Sequence, residues 1–349
     1  MNDAAHSSKG RNGSIAVGIA LLLLMYVAAA LAEFVAPYDY REQVRLEPSA
    51  PATTLRFIDA TGAFHLRPFV YQSHLTNSRE YEYTEDPSEA YPLSLFVKGS
   101  KYRLLALFDT DVHLFGVAGG RGDTAPFLHL LGTDQLGRDR FSRLVLASRF
   151  SLLISPAGTL LACLLGVLIG AVSGYAGSRA DAMLIAVTDT VIALPTLILI
   201  LAARAAFPLE LPPSRAAAML ISIFALTGWA EMARLTRAQV VSVKNLEFVS
   251  AARALGARES RILSAHILPN IAGPLLVQAT LILPAFFLAE VSLSFLGVGL
   301  QEPEPSLGNM LSSAADLTQL GYHPVLLLAP AVVIFVFVLA TRLLTRGRR

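Results

Sequence analysis

Six stretches of this chain, near 14–36, 151–174, 182–204, 215–236, 272–297 and 324–345, each run for about twenty mainly apolar residues. A helix rises ~1.5 Å per residue, so ~20 such residues cross the ~30 Å hydrocarbon layer of a bilayer. In that layer no water bonds the backbone, and a helix satisfies its own amides and carbonyls. The chain is therefore expected to be an all-α polytopic membrane protein with six transmembrane helices. Its balance agrees: of 349 residues 54% are hydrophobic and 15% charged, where soluble domains carry about 25%. Lys9 and Arg11 precede the first stretch, while Arg342, Arg346, Arg348 and Arg349 end the chain. Basic residues stay inside, so both termini are expected in the cytoplasm. Ala30-Leu31-Ala32 is also readable as a signal-peptidase site, but the run before it is longer than a usual signal core, and the first span is expected to be retained.

Composition also excludes functions. A net charge of +2 without a basic cluster argues against nucleic acid. The one cysteine, Cys163, rules out an intrachain disulfide and thiolate metal ligation. His113, His129, His266 and His323 are scattered without ligand spacing, so no metal site is expected. The lysines, at 9, 98, 101 and 244, never follow a glycine, which excludes a phosphate loop ending in Gly-Lys-Ser or Gly-Lys-Thr. No nucleophile and base fall together within the spans, so an enzyme is not expected, and no cofactor either.

Three regions follow: a tail and first span over 1–36, an insertion outside the membrane over 37–130, and a five-helix core over 131–349. The insertion carries alternating apolar patterns at 55–71 and 93–108 with Thr61-Gly62 and Gly99-Ser100 at their middles, which predicts two β-hairpins. The acidic run Glu80 to Glu89 between them reads either as a solvated linker or as a contact surface for a partner. Residues 133–148 predict an amphipathic interfacial helix capped by Thr133 or Asp134, with Leu136, Phe141, Leu144 and Val145 on one side and Arg138, Asp139, Arg140 and Arg143 on the other.

The long polar interruption at 244–270, KNLEFVSAARALGARESRILSAHILPN, reads as helix, sharp turn, helix. Leu246, Val249 and Ala252 share one side of the first helix, Gly256 closes it, and a second helix near 258–266 stops before Pro269. Deep in the fifth stretch, Glu290 either lines a path through the membrane or bonds a neighbouring helix. Glu231 and Arg234, spaced i and i+3, predict a local ion pair, and Asp189 an interfacial role. Pro195, Pro284 and Pro330 are expected to bend the third, fifth and sixth spans.

The run from Ser250 to Pro269 resembles the cytoplasmic loop of ABC importer permeases. Ala251, Ala252, Gly256, Leu268 and Pro269 match that loop in register; Ala257 lies within it, Ser250 stands where Glu is usual, and His266 with Ile267 where Ile is usual. Two further segments are similar to those marking the dipeptide/oligopeptide class, in its second-permease or "C" type. One is LGTDQLGRD, with Gly132, Thr133, Asp134, Gly137, Arg138 and Asp139. The other is SLSFLGVGLQEPEPSLGNML at 292–311, in which Leu307 replaces the usual Trp and Glu302 and Glu304 add acidity.

The resemblance implies the type I importer permease fold in a bacterial inner membrane. It also implies a coupling helix at 244–270 seated in a separate ATPase subunit; from their place inside spans, Glu290, Pro284 and Pro195 are the candidate pore-lining residues. The partners implied are membrane lipid, a second homologous permease, two ATP-binding cassette subunits holding the ATP, and an extracytoplasmic solute-binding protein. Peptides are the expected cargo, with nickel chelates or peptide antibiotics carried by the same machinery as alternatives. A self-contained secondary transporter is the weaker reading, since it calls for repeats and several buried charges.

Overall fold

The computed structural model describes residues 2–105, 107–117, 126–175, 178–208, 211–314 and 328–346. His323, Arg348, Arg349 and the first residues of the expected sixth span, 324–327, lie outside them. In chain order the elements are α1 (Asn2–Ala30), α2 (Ala32–Val35), β1 (Arg56–Ile58), β2 (Phe64–Asn77), β3 (Glu82–Leu104), β4 (Phe108–Val117), α3 (Arg140–Tyr175), α4 (Ser178–Ala193), α5 (Thr196–Ala205), α6 (Pro213–Val243), α7 (Glu247–Ala254), α8 (Glu259–Arg261), a π-helical turn (Ile262–Ile267), α9 (Leu268–Phe295), α10 (Leu307–Ala314) and a last helix, Ala329–Arg346.

Among the described residues four helices are long and apolar enough to cross a membrane: Gly13–Ala30, Arg140–Tyr175, Pro213–Val243 and the run Glu259–Phe295. The pair Asp181–Ala193 and Thr196–Ala205, bent by 90°, makes a fifth if it is one broken span, and Ala329–Thr345 is a shorter apolar helix. The break falls at Pro195, which caps α5 in an extended conformation. Pro284 lies inside α9, which runs on through it. Pro330 is the second residue of the last helix and does not interrupt it, because a missing N–H there leaves no helical bond unmade.

The chain divides into two compact units. The first comprises Met1–Leu22, Leu152–Leu293 and Val336–Arg349. Its centre is α3 against α6, and glycine makes that contact possible. A Cβ on Gly158 would meet the Phe224 side chain at 2.9 Å, on Gly166 the Met232 Cβ at 2.5 Å, and on Gly170 the Ala233 carbonyl oxygen at 2.3 Å. Spaced at helical repeats, these residues let two backbones approach as small-residue faces do in membranes. Phe287 of α9 stacks on Phe337 of the last helix at 4.1 Å between ring centroids.

The second unit comprises Leu23–Ser151 and Ser294–Phe335. It holds an antiparallel four-stranded sheet in the order β1-β2-β3-β4. Val70, Val117 and Leu128 form a small core with Tyr91, Leu93, Phe115 and Leu130. The first expected hairpin is present as β1 and β2, turning at Gly62 with φ +86°. The second turns elsewhere: β3 runs straight through Gly99-Ser100, and the chain reverses only between Leu104 and Phe108. Gly99 marks an irregularity in register between Lys98 and Tyr102, where a Cβ would strike the His113 ring at 2.5 Å. It is a packing glycine, not a turn glycine. The acidic run, expected between strands, instead opens β3, with Glu85 opposite Ser73 and Asp86 opposite Gln72.

A separate interfacial helix over 133–148 is not found. Residues 133–139 are loop, and α3 begins at Arg140 and continues without a break to Tyr175. Gly132 and Gly137 take φ +66° and +73°, which a helix does not accept, and Asp139 rather than Thr133 or Asp134 caps α3 by accepting the Ser142 N–H at 2.7 Å.

Candidate functional site

The polar interruption at 244–270 lies in the first unit. At its start Lys244 extends from α6 and donates from Nζ to the Gly174 carbonyl at 2.7 Å. Within α7 the expected face is partly right: Val249 and Ala252 are buried, whereas Leu246, Phe248 and Leu255 project outward, Leu255 being 88% exposed. The helix ends in a Schellman motif, with the N–H of Ala257 on the Ala252 carbonyl at 3.1 Å and that of Gly256 on Arg253 at 3.0 Å. Gly256 has φ +80° and open space around it, so backbone conformation alone demands glycine.

Beyond the turn, Glu259 accepts from Arg253 Nε at 3.0 Å and from the Tyr175 hydroxyl, and Arg253 also reaches that hydroxyl at 3.0 Å. The turn is thus pinned to the end of α3. Ser250 and Ala251 are exposed; His266 and Leu268 are half-buried. The second helix does not stop before Pro269. A π-turn places Ile262 and Ile267, five residues apart, on one buried line, and α9 then starts at Leu268 and passes through Pro269. Sequence periodicity of 3.6 does not reveal such a turn.

Still in the first unit, a cavity of about 330 Å³ opens beside the break at Pro195. Its polar lining is Thr196, Thr227, Glu231, Gln278 and Ser292. One wall depends on Gly228, where a Cβ would lie 2.3 Å from the Phe286 ring; that ring stacks on Phe224 at 4.7 Å. Pro195, Pro284 and Glu290 do not line it, although their neighbours Thr196, Ala285 and Ala289 do. Glu290 is fully buried and engaged within the protein. The expected Glu231–Arg234 pair does not form. Glu231 accepts from Gln278 Nε2 at 3.2 Å, while Arg234 lines a second cavity of about 320 Å³ with Asp189, Ser173 and Arg237. Arg237 binds Asp181 through two contacts of 2.6 Å.

In the second unit the two marker segments meet. Arg138 Nη1 and Arg143 Nη2 each reach one oxygen of Glu302 at 2.7 Å, and Arg138 Nε reaches Asp134 at 2.7 Å. Glu304 takes the Tyr40 hydroxyl at 2.6 Å and the Arg41 guanidinium. Thr133 donates to the Glu47 carbonyl at 2.5 Å and accepts the Ala50 N–H at 2.7 Å. A Cβ on Gly132 or Gly137 would collide with the carbonyls of Ala50 or Val44. His129 is held between Asp139 at 2.9 Å and Glu47 at 3.0 Å. Burial opposes its charge, but these carboxylates raise its pKa to about 9. Residues expected on the polar face of a surface helix, Arg138, Asp139, Arg140 and Arg143, are therefore buried. A cavity of about 540 Å³ lies beside them.

Several helices long and apolar enough to cross a membrane, one bent pair and a pinned polar loop are the features of a multi-pass membrane protein. Residues 166–347 match the family described as "Binding-protein-dependent transport system inner membrane component", and the chain belongs to that family. It is 39% identical over 203 residues to the oligopeptide transport system permease protein OppC of Bacillus subtilis, covering 58% of this chain and 64% of that one. Identity is 38% to the dipeptide permease protein DppC of Bacillus subtilis, covering 52% and 55% of the two chains. It is also 38% to the di/tripeptide permease protein DppC of Pseudomonas aeruginosa, covering 63% and 70%. The matches thus span less than two thirds of the length of either Bacillus relative.

Proposed function

We propose that this chain is the transmembrane permease subunit of an ATP-driven importer of di- or oligopeptides. It forms half of a pore completed by a second, homologous permease in a six-span arrangement of the bacterial inner membrane, with both termini in the cytoplasm. Residues 37–130 form an extracytoplasmic insertion, and 131–349 the permease core. The chain performs no chemistry and holds no cofactor; ATP is bound by two separate cassette subunits, and an extracytoplasmic binding protein delivers the cargo.

The observation that carries this reading is the loop at 244–270 in a chain of this family. Its helix α7 turns outward Leu246, Phe248 and Leu255, an apolar set suited to a groove on another protein. Both of its ends are pinned to the end of α3, through Lys244 before it and through Arg253 and Glu259 where it closes. A load applied to Ser250–Ala257 therefore reaches α3, α6 and α9 as a rigid push. Pore residues belong near the Pro195 break, with Pro284 and Glu290 on the helix forming its far wall. The marker residues Gly132 to Asp139 keep the outer loops in register.

The test is uptake of labelled di- and tripeptides into proteoliposomes holding this chain, its permease partner, the two ATPases and the binding protein. ATP-dependent accumulation is expected. Accumulation by this chain alone, or no crosslink from positions 250–266 to an ATPase, overturns the reading.

A further inference from the structure

Glu231 is an exposed carboxylate on a helix long and apolar enough to span a membrane, where facing lipid would be costly. Two cationic anchors mark the loop-side end of α6: Arg237 on Asp181, and Lys244 on the Gly174 carbonyl. Glu231 lies six residues before Arg237, ~9 Å deeper at ~1.5 Å per residue. Its helix is one of the four long and apolar enough to span a membrane. Ionisable groups at such depth are retained when they face protein or a water-filled cavity, and they mark pathways.

The cavity it faces is polarised by it alone. Among the described residues that line the space, Glu231 is the single charged one, set among Thr196, Thr227, Gln278 and Ser292 and otherwise apolar walls. Gln278 offers it a neutral amide at 3.2 Å. The nearest arginine along the helix, Arg234, lines the neighbouring cavity with Asp189. A space of about 330 Å³ with one carboxylate, neutral acceptors and apolar walls complements a small ligand carrying one positive charge.

We infer that Glu231 recognises a primary ammonium group in this cavity, the protonated amino terminus of a peptide in passage; the peptide part rests on the importer reading above. Every unblocked peptide carries that group, so the site accepts varied side chains while selecting for a free amino end.

Two measurements test it. The first needs only the full chain, with Cys163→Ser and Thr196→Cys providing one reactive thiol in the cavity. Labelling rates of methanethiosulfonates bearing an ammonium or a sulfonate are compared, each normalised to free cysteine. The ammonium reagent is expected to be favoured about tenfold, and Glu231→Gln to abolish that preference. An equal preference in both proteins overturns the cation site. The second is uptake by the reconstituted complex of trialanine, N-acetyl-trialanine and N-acetyl-trialanine extended by lysine. Glu231→Gln is expected to lower the trialanine to N-acetyl-trialanine ratio about tenfold, and Glu231→Asp to restore most of it. An unchanged ratio overturns the peptide assignment, and loss confined to the lysine peptide moves recognition to side-chain amines. If the wild-type complex accumulates none of the three, the importer reading falls, and the labelling result still decides the cation site.

Discussion

Replacing Gly170 by alanine puts a methyl group where α3 has no room for one. The new Cβ would lie 2.3 Å from the Ala233 carbonyl oxygen and 2.8 Å from the Thr236 Cβ. Carbon contacts prefer about 3.5–4.0 Å, so α3 and α6 must separate by ~1 Å. Ala233 presents backbone, and no side-chain rotation relieves the clash. Overpacking of this kind costs about 1–3 kcal/mol. The separation also loosens Gly166 against Met232 and Gly174 against Val240, which share the interface. Against this stands about 1 kcal/mol of improved helix propensity. With the contact at 2.3 Å the cost falls at the upper end of the range, leaving a net loss of ~2 kcal/mol. At ~2–4 °C per kcal/mol, the unfolding midpoint should fall by ~4–8 °C. Trp229, the one tryptophan of the chain, has its carbonyl oxygen 2.6 Å from a Cβ built on Gly166, so its fluorescence during heating in detergent reports on this contact. The matched control is Gly273→Ala in α9, where a Cβ meets nothing within 4 Å, and an unchanged or slightly raised midpoint is expected. If Gly170→Ala melts at or above the wild-type temperature, the close approach of α3 to α6 is wrong.

Gly256→Pro, or Ala252→Glu on the buried side of α7, should leave membrane insertion intact and abolish peptide-stimulated ATPase activity of the assembled complex; normal stimulation in either argues against the loop as a coupling element. Glu302→Ala removes the carboxylate shared by Arg138 and Arg143, whose side chains are 10% and 4% exposed, and should cost ~1–3 kcal/mol after discounting for the half-exposed Glu302. Arg41→Ala removes the exposed partner of Glu304, Arg41 being 59% exposed, and should cost below ~1 kcal/mol, so the two midpoints in detergent should differ. Because His129 has a folded pKa of about 9, above the ordinary 6.5, its contribution to stability is complete below pH ~6.5 and is lost as pH rises through about 9. The wild-type midpoint should therefore drop between pH 7 and 10 by more than that of His129→Gln, and parallel profiles would exclude the buried charge.

Much of the first unit was legible from the chain. Hydropathy located four long apolar helices, or five with the broken pair, of the six spans expected, because bilayer thickness sets a length that any window can measure. Gly256 declared its turn because only a residue without Cβ takes φ +80° cheaply. The π-turn at Ile262–Ile267 was not legible, since its spacing of five competes with the 3.6 period that the eye expects. Gly99 misled for a related reason: a glycine needed for space against His113 looks the same in sequence as one needed for a turn.

The charged residues divide along the same line. The segments around Gly132–Asp139 and 292–311 both resemble class markers, yet Arg138, Asp139, Arg140 and Arg143 of the first read as the polar side of an interfacial helix. Only folding brought Glu302 to Arg138 and Arg143 and so made burial of those guanidinium groups affordable. Likewise Glu231 and Arg234 are one helical turn apart, and chain spacing alone paired them. Their side chains enter different cavities because α9 brings Gln278 to one and α4 brings Asp189 to the other. The sequence by itself determined which segments are apolar enough to prefer lipid, that the backbone turns at Gly62 and Gly256, and which family the chain belongs to. These properties depend on each residue and its near neighbours along the chain. Which charges meet, and which stands alone in a cavity, was decided only by tertiary packing, because Coulomb and steric energies depend on distance in space.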